Sequence, residues 1–260
     1  MLLAVDVGNT QTVIGIFDDS VENPSEALDG HWRVSTDERR TADELALVIR
    51  CLLEPAGLSL GDLDAVAVSS VVPRVTASLR TMCLEYLKID PLVLQPGVRS
   101  GMPILYDNPK EVGADRIANA VAAYEEYGGP AVVVDFGTAT TFDAISSEGE
   151  YLGGAIAPGV EISAKALFDA AAGLRRVELK PPRSVIGKST AESLQSGILY
   201  GVAGQVDHMV ALFCRELGPQ TKAVATGGLA GLVVPHCSSV SKIDEFLTLK
   251  GLLIIHRRNR

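Results

Sequence analysis

The chain repeats itself at half its length, and that repeat limits the folds open to it. LAVDVGNTQT (3–12) aligns with VVVDFGTATT (132–141), so that Asp6 falls on Asp135, Gly8 on Gly137 and Thr12 on Thr141, each 129 residues further along a chain of 260. Each copy reads as a buried β-branched strand ending in Asp, a tight turn built on Gly, and a second strand, Thr12–Phe17 in one and Thr140–Ile145 in the other. A third strand follows in each, His31–Ser35 after Gly30 and Tyr151–Ile156 after Gly149, which makes an antiparallel meander. After the first meander come a helical pattern over Thr41–Leu53, a strand Ala65–Ser69, a helix Val75–Leu87 behind Pro73 and a short strand Leu92–Leu94, in the order βββαβαβ. After the second, helical patterns cover Val160–Ala171 and Ala191–Leu217, a strand Ala223–Ala225 runs into Thr226-Gly227-Gly228, and a last helical stretch ends near Arg257. The expectation is a duplicated α/β fold with domains at 1–112 and 113–260, the Pro- and Gly-bearing stretch 97–108 serving as a connection or a loop over a cleft.

Composition narrows the ligand. With 47% hydrophobic and 21% charged residues the chain can bury a core. Twenty-three basic against thirty-two acidic residues leave −9, which lacks the positive field that captures nucleic acid or anionic lipid nonspecifically. An anionic ligand therefore needs a local site. Cys51, Cys83, Cys214 and Cys237 form no CxxC and the histidines add no partner at ligand spacing, which argues against zinc or a disulfide framework and for reduced thiols. No apolar run reaches the roughly 18–20 residues of a bilayer span, and Asp6 interrupts an N-terminal run that has no basic flank. The expected setting is the cytoplasm, with neither nucleic acid nor membrane as a partner.

The repeated turns suggest phosphate chemistry. Glycine lets backbone N–H groups approach an oxyanion, and Thr or Asn adds donors. Aspartates repel phosphate but can hold Mg²⁺ or another cation that bridges to it. A single DxGxT is equally a hairpin turn closed by an Asx hydrogen bond, whereas two copies half a chain apart point to a clamp facing a cleft between the halves. Gly187-Lys188-Ser189-Thr190 imitates the end of a Walker A loop, yet the required glycine is Pro182 and no strand signal precedes it, so a P-loop is rejected. In the helix that follows, Leu194, Ile198, Val202, Met209 and Phe213 lie near one face, and Gly197, Gly201 and Gly204 permit close approach of another helix. Gly113-Ala114-Asp115-Arg116 opens an apolar-periodic helix with Ile117, Ala120, Val121 and Tyr124 on one face. Taken alone, Asp115 reads as a first-turn cap and Arg116 as half of a surface ion pair.

Together these residues resemble the acetate and sugar kinase, heat-shock chaperone and actin superfamily, whose two duplicated ribonuclease-H-like domains clamp ATP between hairpins; Thr226-Gly227-Gly228 looks like its adenosine motif. Within it, the resemblance is to type III pantothenate kinase, on DVGNTQT (6–12), YDNPKEVGADRIANAVAAY (106–124), VVVDFGTATTFD (132–143), GGAIAPG (153–159), IGKSTAESLQSG (186–197) and LTLKGL (247–252). The resemblance implies ATP-dependent phosphorylation of pantothenate to 4′-phosphopantothenate, the first step of coenzyme A biosynthesis, by a cytoplasmic homodimer. It implies that Asp115 is the catalytic base for the primary hydroxyl of pantothenate. A carboxylate suits that role because phosphoryl transfer passes through a loose transition state, in which the base mainly orients the hydroxyl and takes its proton late. Asp6, Val7, Gly8, Asn9, Thr10, Gln11, Thr12 and Val13 would line the ATP phosphate site, with Asp6 near Mg²⁺ and Thr138 touching ATP from the second hairpin. Asp135 would bind a monovalent cation, K⁺ or NH₄⁺. Tyr106, Gly113, Ala114, Asp115, Arg116 and Thr190 would bind pantothenate. Two other readings use the same turns: a kinase for another small alcohol, which needs no GADR element, and a nucleotide-binding regulatory protein of the same fold, which needs no hydroxyl pocket.

Overall fold

The β-branched runs that end in Asp become the central strands of two five-stranded sheets in the structure, a computed structural model that describes residues 1–171 and 173–260. In the first half, β1 (Leu2–Val7), β2 (Gln11–Phe17), the single-turn α1 (Pro24–Ala27) and β3 (Leu28–Ser35) are followed by α2 (Ala42–Leu53), β4 (Ala65–Ser70), α3 (Pro73–Met82) and β5 (Leu92–Val93). After α4 (Ala114–Tyr127), the second half repeats the pattern with β6 (Ala131–Phe136), β7 (Ala139–Ile145), β8 (Tyr151–Pro158), α5 (Val160–Ala170), α6 (Thr190–Leu217), β9 (Lys222–Thr226), α7 (Ala230–Val233), β10 (Lys242–Ile243) and α8 (Leu247–Arg258). The sheet orders are β3-β2-β1-β4-β5 and β10-β9-β6-β7-β8. In each, three antiparallel strands are extended by two parallel ones. This is the duplicated α/β order expected from the repeat, and it is the ribonuclease-H-like topology that the resemblance implied. The two-residue strand β10 had no readable signal, because Lys242 and Ile243 are exposed and too few to show a period.

Each sheet buries alternate residues under helices. In the first half Leu3, Val5, Val7, Ile14 and Ile16 pack in one cluster with Leu45, Ile49 and Leu53 of α2 and Val75, Leu79 and Met82 of α3. In the second, Val132, Val134, Phe136 and Phe142 pack with Leu199, Ala203, Val206 and Val210 of α6. Local chemistry sets the helix starts. Thr41 and Glu44 form a capping box on α2, Pro73 occupies the first turn of α3, and Ser189 caps α6. The helix expected to run to Leu87 is α-helical only to Met82; it then widens into a π turn over Cys83–Leu87 and stops at Lys88, whose φ is 60°.

By contacts the described residues divide into one unit of 1–122 with 247–260 and another of 123–246. The division therefore falls inside α4 rather than at 112/113, and α8 joins the first unit rather than the second. Three features within the first unit hold α8 there. Gly251 lies so close to the Ala118 backbone that a Cβ would overlap it. Thr248 Oγ1 donates to Asn119 Oδ1 at 2.7 Å. Arg257 Nε donates to Asp19 Oδ1 at 3.0 Å, and Arg257 Nη1 donates to the Glu22 carbonyl at 2.7 Å. Periodicity reports that α8 buries a face but not which sheet receives it. A second expectation also changes: α6 is long and apolar enough, by length and composition, to cross a membrane. Leu199, Ala203, Val206 and Val210 of this helix lie in the core of the second unit.

Candidate active site

The first acidic turn begins where β1 ends. Asp6 is half-buried, Val7 points into the core, and Gly8, Asn9, Thr10 and Gln11 turn the chain into β2, the last three of them exposed. Gly8 N–H donates to the Gln11 carbonyl at 3.0 Å, and a Cβ on Gly8 would stand 3.0 Å from that same oxygen, tight enough to favour glycine. Thr36, just past β3, supports the turn from behind. Its Oγ1 donates to the Gly8 carbonyl at 2.7 Å and its N–H donates to the Thr10 carbonyl at 3.0 Å. Thr12 is buried, with its hydroxyl 2.9 Å from that of Thr36, and Val13 lies opposite Asp6 on the neighbouring strand. On the parallel side of β1, Ser69 of β4 lies in register with Asp6.

The second turn is built alike but is one residue shorter. Val7 pairs with Thr12 across four turn residues, whereas Phe136 pairs with Thr140 across three. The repeat offset is therefore 129 before the turn and 128 after it, since Phe17 and Ile145 close their hairpins equivalently. The alignment of Thr12 with Thr141 is thereby corrected: the counterpart of Thr12 is Thr140, which is equally buried, and Thr141 corresponds to Val13. Hairpin closure decides this register, and a constant sequence offset cannot show it. Gly137 and Thr138 are exposed at the tip, Asp135 is half-buried, and Thr226 of β9 lies in register with Asp135 as Ser69 does with Asp6. Gly227 has φ +93°, and a Cβ there would meet Asp135 Oδ1 at 2.5 Å, so the Thr226-Gly227-Gly228 segment packs directly onto the second acidic turn.

The remaining predicted residues are distributed over both units. Tyr106 is half-buried in the irregular stretch before α4 and, like Gly113 to Arg116, belongs to the first unit. Asp115 sits in the first turn of α4 and its Oδ1 accepts from the Arg116 N–H at 2.9 Å. A Cβ on Gly113 would meet Asp115 Oδ1, so a larger residue there would displace that carboxylate. Arg116 is only 8% exposed, which removes a surface ion pair as its role. Thr138 and Asp135 belong to the second unit, as does Thr190, exposed as the first residue of α6. The preceding Gly187-Lys188-Ser189 segment shapes a helix start and no phosphate loop: Lys188 N–H donates to Glu192 Oε2 at 3.1 Å, and Glu192 N–H to Ser189 Oγ at 3.2 Å.

Sequence reasoning passed over a buried carboxylate near the second turn. Asp143 is fully buried on β7 and accepts from Tyr151 Oη at 2.7 Å and Thr141 Oγ1 at 3.1 Å. Thr141 is also the cross-strand partner of Asp135. A charged residue in a β-strand pattern, next to Phe142 and Ala144, was the available signal. Thr36 offered none, because its role depends on the pairing of β3 with β2. Elsewhere in the second unit, burial by itself would raise the Asp207 carboxyl, but the N–H and hydroxyl groups of Ser238 and Ser239 hold it below its ordinary value and fasten α6 to the loop before β10.

Comparison with known proteins gives a family match over most of the chain. The family described as type III pantothenate kinase matches residues 2–212. A type III pantothenate kinase of Moorella thermoacetica is 53% identical over 259 residues, covering 100% of both chains. One from Myxococcus xanthus is 52% identical over 259 residues, covering 100% of this chain and 99% of its own. Among solved structures, the activator of the 2-hydroxyisocaproyl-CoA dehydratase from Clostridium difficile with bound ADPNP has a TM-score of 0.55 at 14% identity, covering 99% of this chain and 93% of that one. The ROK hexokinase from Thermus thermophilus has a TM-score of 0.52 at 14% identity, with coverage of 98% and 97%. At such identities the structural likenesses establish the fold alone.

Proposed function

The chain belongs to the type III pantothenate kinase family, and we propose that its duplicated acidic turns and the carboxylate at the start of α4 carry that family's reaction here. The activity is ATP-dependent phosphorylation of pantothenate to 4′-phosphopantothenate, which opens coenzyme A biosynthesis. The observation that carries the residue assignment is the recurrence of one Asp-bearing turn at the same place on two sheets of the same strand order.

In this reading the residues from Asp6 to Val13 form the ATP phosphate site, Val7 and Thr12 supporting it from behind the turn without touching phosphate. The N–H groups of Asn9 and Thr10, which donate to no protein acceptor among the described residues, supply donors to the phosphates. Thr138 adds a contact to ATP from the second turn. Both acidic positions offer hard oxygen donors. Ser69 Oγ is buried beside Asp6 with no hydrogen-bond partner among the described residues, and Thr141 and Thr226 flank Asp135. That donor set fits Mg²⁺ at Asp6 and K⁺ or NH₄⁺ at Asp135. When bound, such cations offset the negative charge of the phosphates. Asp115 is assigned as catalytic base: it orients the primary hydroxyl of pantothenate and accepts its proton. Arg116 supplies the local positive charge that an anionic substrate requires on a protein of net charge −9. Tyr106, Gly113, Ala114 and Thr190 complete the pantothenate contacts. A cytoplasmic homodimer completes the reading, and open space over Gly197, Gly201 and Gly204 of α6 supports a helix face that another copy could approach.

The test is Asp115→Asn. Pantothenate-dependent ADP release should fall by about a hundredfold or more, within the usual range for loss of a general base, while ADP affinity is retained. ADP release indifferent to pantothenate points to another acceptor, and nucleotide binding without turnover points to a regulator.

A further inference from the structure

The two turns differ by one residue, and the structure fills the difference in two ways. Ser35 pairs with Gln11 at the end of β3, and Pro158 pairs with Ala139 at the end of β8. The next residues, Thr36 and Gly159, therefore occupy equivalent places behind their turns. In the second unit the shorter turn packs against Gly159 so closely that a Cβ would collide with the carbonyl of Thr138, and the Gly137 carbonyl would lie at 2.8 Å. In the first unit the longer turn leaves room for a side chain, and Thr36 occupies it.

Counting protons defines what Thr36 does there. A threonine hydroxyl has one proton and two acceptor lone pairs. The Thr36 proton goes to the Gly8 carbonyl, so the contact with Thr12 must be donated by the Thr12 hydroxyl. The Thr36 N–H takes the Thr10 carbonyl, and Gly8 N–H takes that of Gln11. Three of the four carbonyl oxygens of the turn thus accept bonds from within the protein, while the exposed Asn9 and Thr10 retain N–H groups that no protein acceptor takes among the described residues. An unbonded carbonyl aimed at a triphosphate would repel it, and a bonded one is fixed with its dipole directed away.

We infer that Thr36 is a positioning residue of the ATP site, holding the acceptors of the first turn inward so that the nucleotide meets donors. Thr12, buried and committed to Thr36, acts behind the turn and does not offer its proton to phosphate. The inference rests on reading this turn as the phosphate site, and it assigns a role outside the DVGNTQT segment to a residue 28 positions from Gly8.

Thr36→Val keeps the shape and removes the hydroxyl, and Thr36→Ser keeps the hydroxyl. Mg-ADP affinity by calorimetry and the two Michaelis constants are the readouts. The Val variant should lose about tenfold in ADP affinity and show KM for ATP raised about tenfold, equivalent to about 1.4 kcal/mol, with KM for pantothenate unchanged. The Ser variant should stay within about twofold of the parent. Thr12→Val, which leaves both turn carbonyls bonded, should lose about threefold or less. The inference is overturned by parental ADP affinity in Thr36→Val, by equal losses in Thr36→Val and Thr36→Ser, or by a Thr12→Val loss as large as that of Thr36→Val. If Thr36→Val fails to fold, an ADP-affinity loss well beyond twofold in Thr36→Ser, or of about tenfold in Thr12→Val, overturns the inference in its place. A parent chain that binds no Mg-ADP would overturn the phosphate-site reading itself, whereas a parent that binds normally beside an unaffected Val variant overturns only the role of Thr36.

Discussion

Replacing Gly251 with alanine should destabilise the first unit even though alanine is the better helix former. A Cβ at Gly251 would overlap the Ala118 carbonyl oxygen and stand 2.5 Å from the Ala118 carbonyl carbon and 2.9 Å from its Cα. Carbon pairs rest at about 3.5–4.0 Å, so α8 and α4 would have to separate by roughly 1 Å. Overpacking costs about 1–3 kcal/mol, and the upper end applies because the obstructing atoms are backbone and cannot rotate away. The intrinsic preference of a helix for alanine over glycine returns about 1 kcal/mol. The net loss is about 2 kcal/mol, or a Tm lowered by about 6 °C for a unit of this size. Trp32, the single tryptophan, lies on β3 in the first unit, so its fluorescence during urea unfolding reports the affected half. The control is Gly231→Ala in α7, where nothing lies within 4 Å of the new Cβ; followed by circular dichroism, it should be neutral or stabilise by up to about 1 kcal/mol. Stabilisation of Gly251→Ala to the same extent as the control would refute the contact between α8 and α4 and, with it, the placement of α8 in the first unit.

Two further outcomes are expected. Burial and the neighbouring Arg257 lower the His256 pKa from its ordinary 6.5, while the Asp19 carboxylate nearby is engaged by Arg257 and Arg260 and His256 Nε2 accepts from Arg260 Nε. The folded state thus sheds a proton that the unfolded chain keeps, so this stability is present above pH 6.5 and lost as pH falls toward the folded value; urea midpoints between pH 7.5 and 5.5 should fall more steeply in the parent than in His256→Gln, and parallel slopes would exclude the effect. Exchanging K⁺ or NH₄⁺ for Na⁺ should lower pantothenate-dependent turnover in the parent but not in Asp135→Asn, as the assigned cation site requires, and equal parental rates in both salts would remove that assignment.

The elements that carry the candidate site could be read from the sequence because the relevant signals are local. Asp6 and Asp135 end apolar runs, Gly8 and Gly137 mark turns, and Asp115 opens an apolar-periodic helix, so their elements followed from period and turn chemistry alone. Thr36 and Ser69 could not be placed in this way, since each depends on which strand lies beside it.

The amino-acid order alone determined that there are two copies of one α/β unit, each with a carboxylate leading into a glycine turn, because strand and turn propensities act over a few neighbouring residues. Tertiary structure alone decided that α8 returns to the first unit and that the second turn closes one residue sooner. It also decided that a threonine backs one turn where a glycine backs the other. Those choices are made by packing and hydrogen-bond register between segments far apart in the chain, where a glycine admits a neighbouring backbone and a hydroxyl fills the space left by a longer turn.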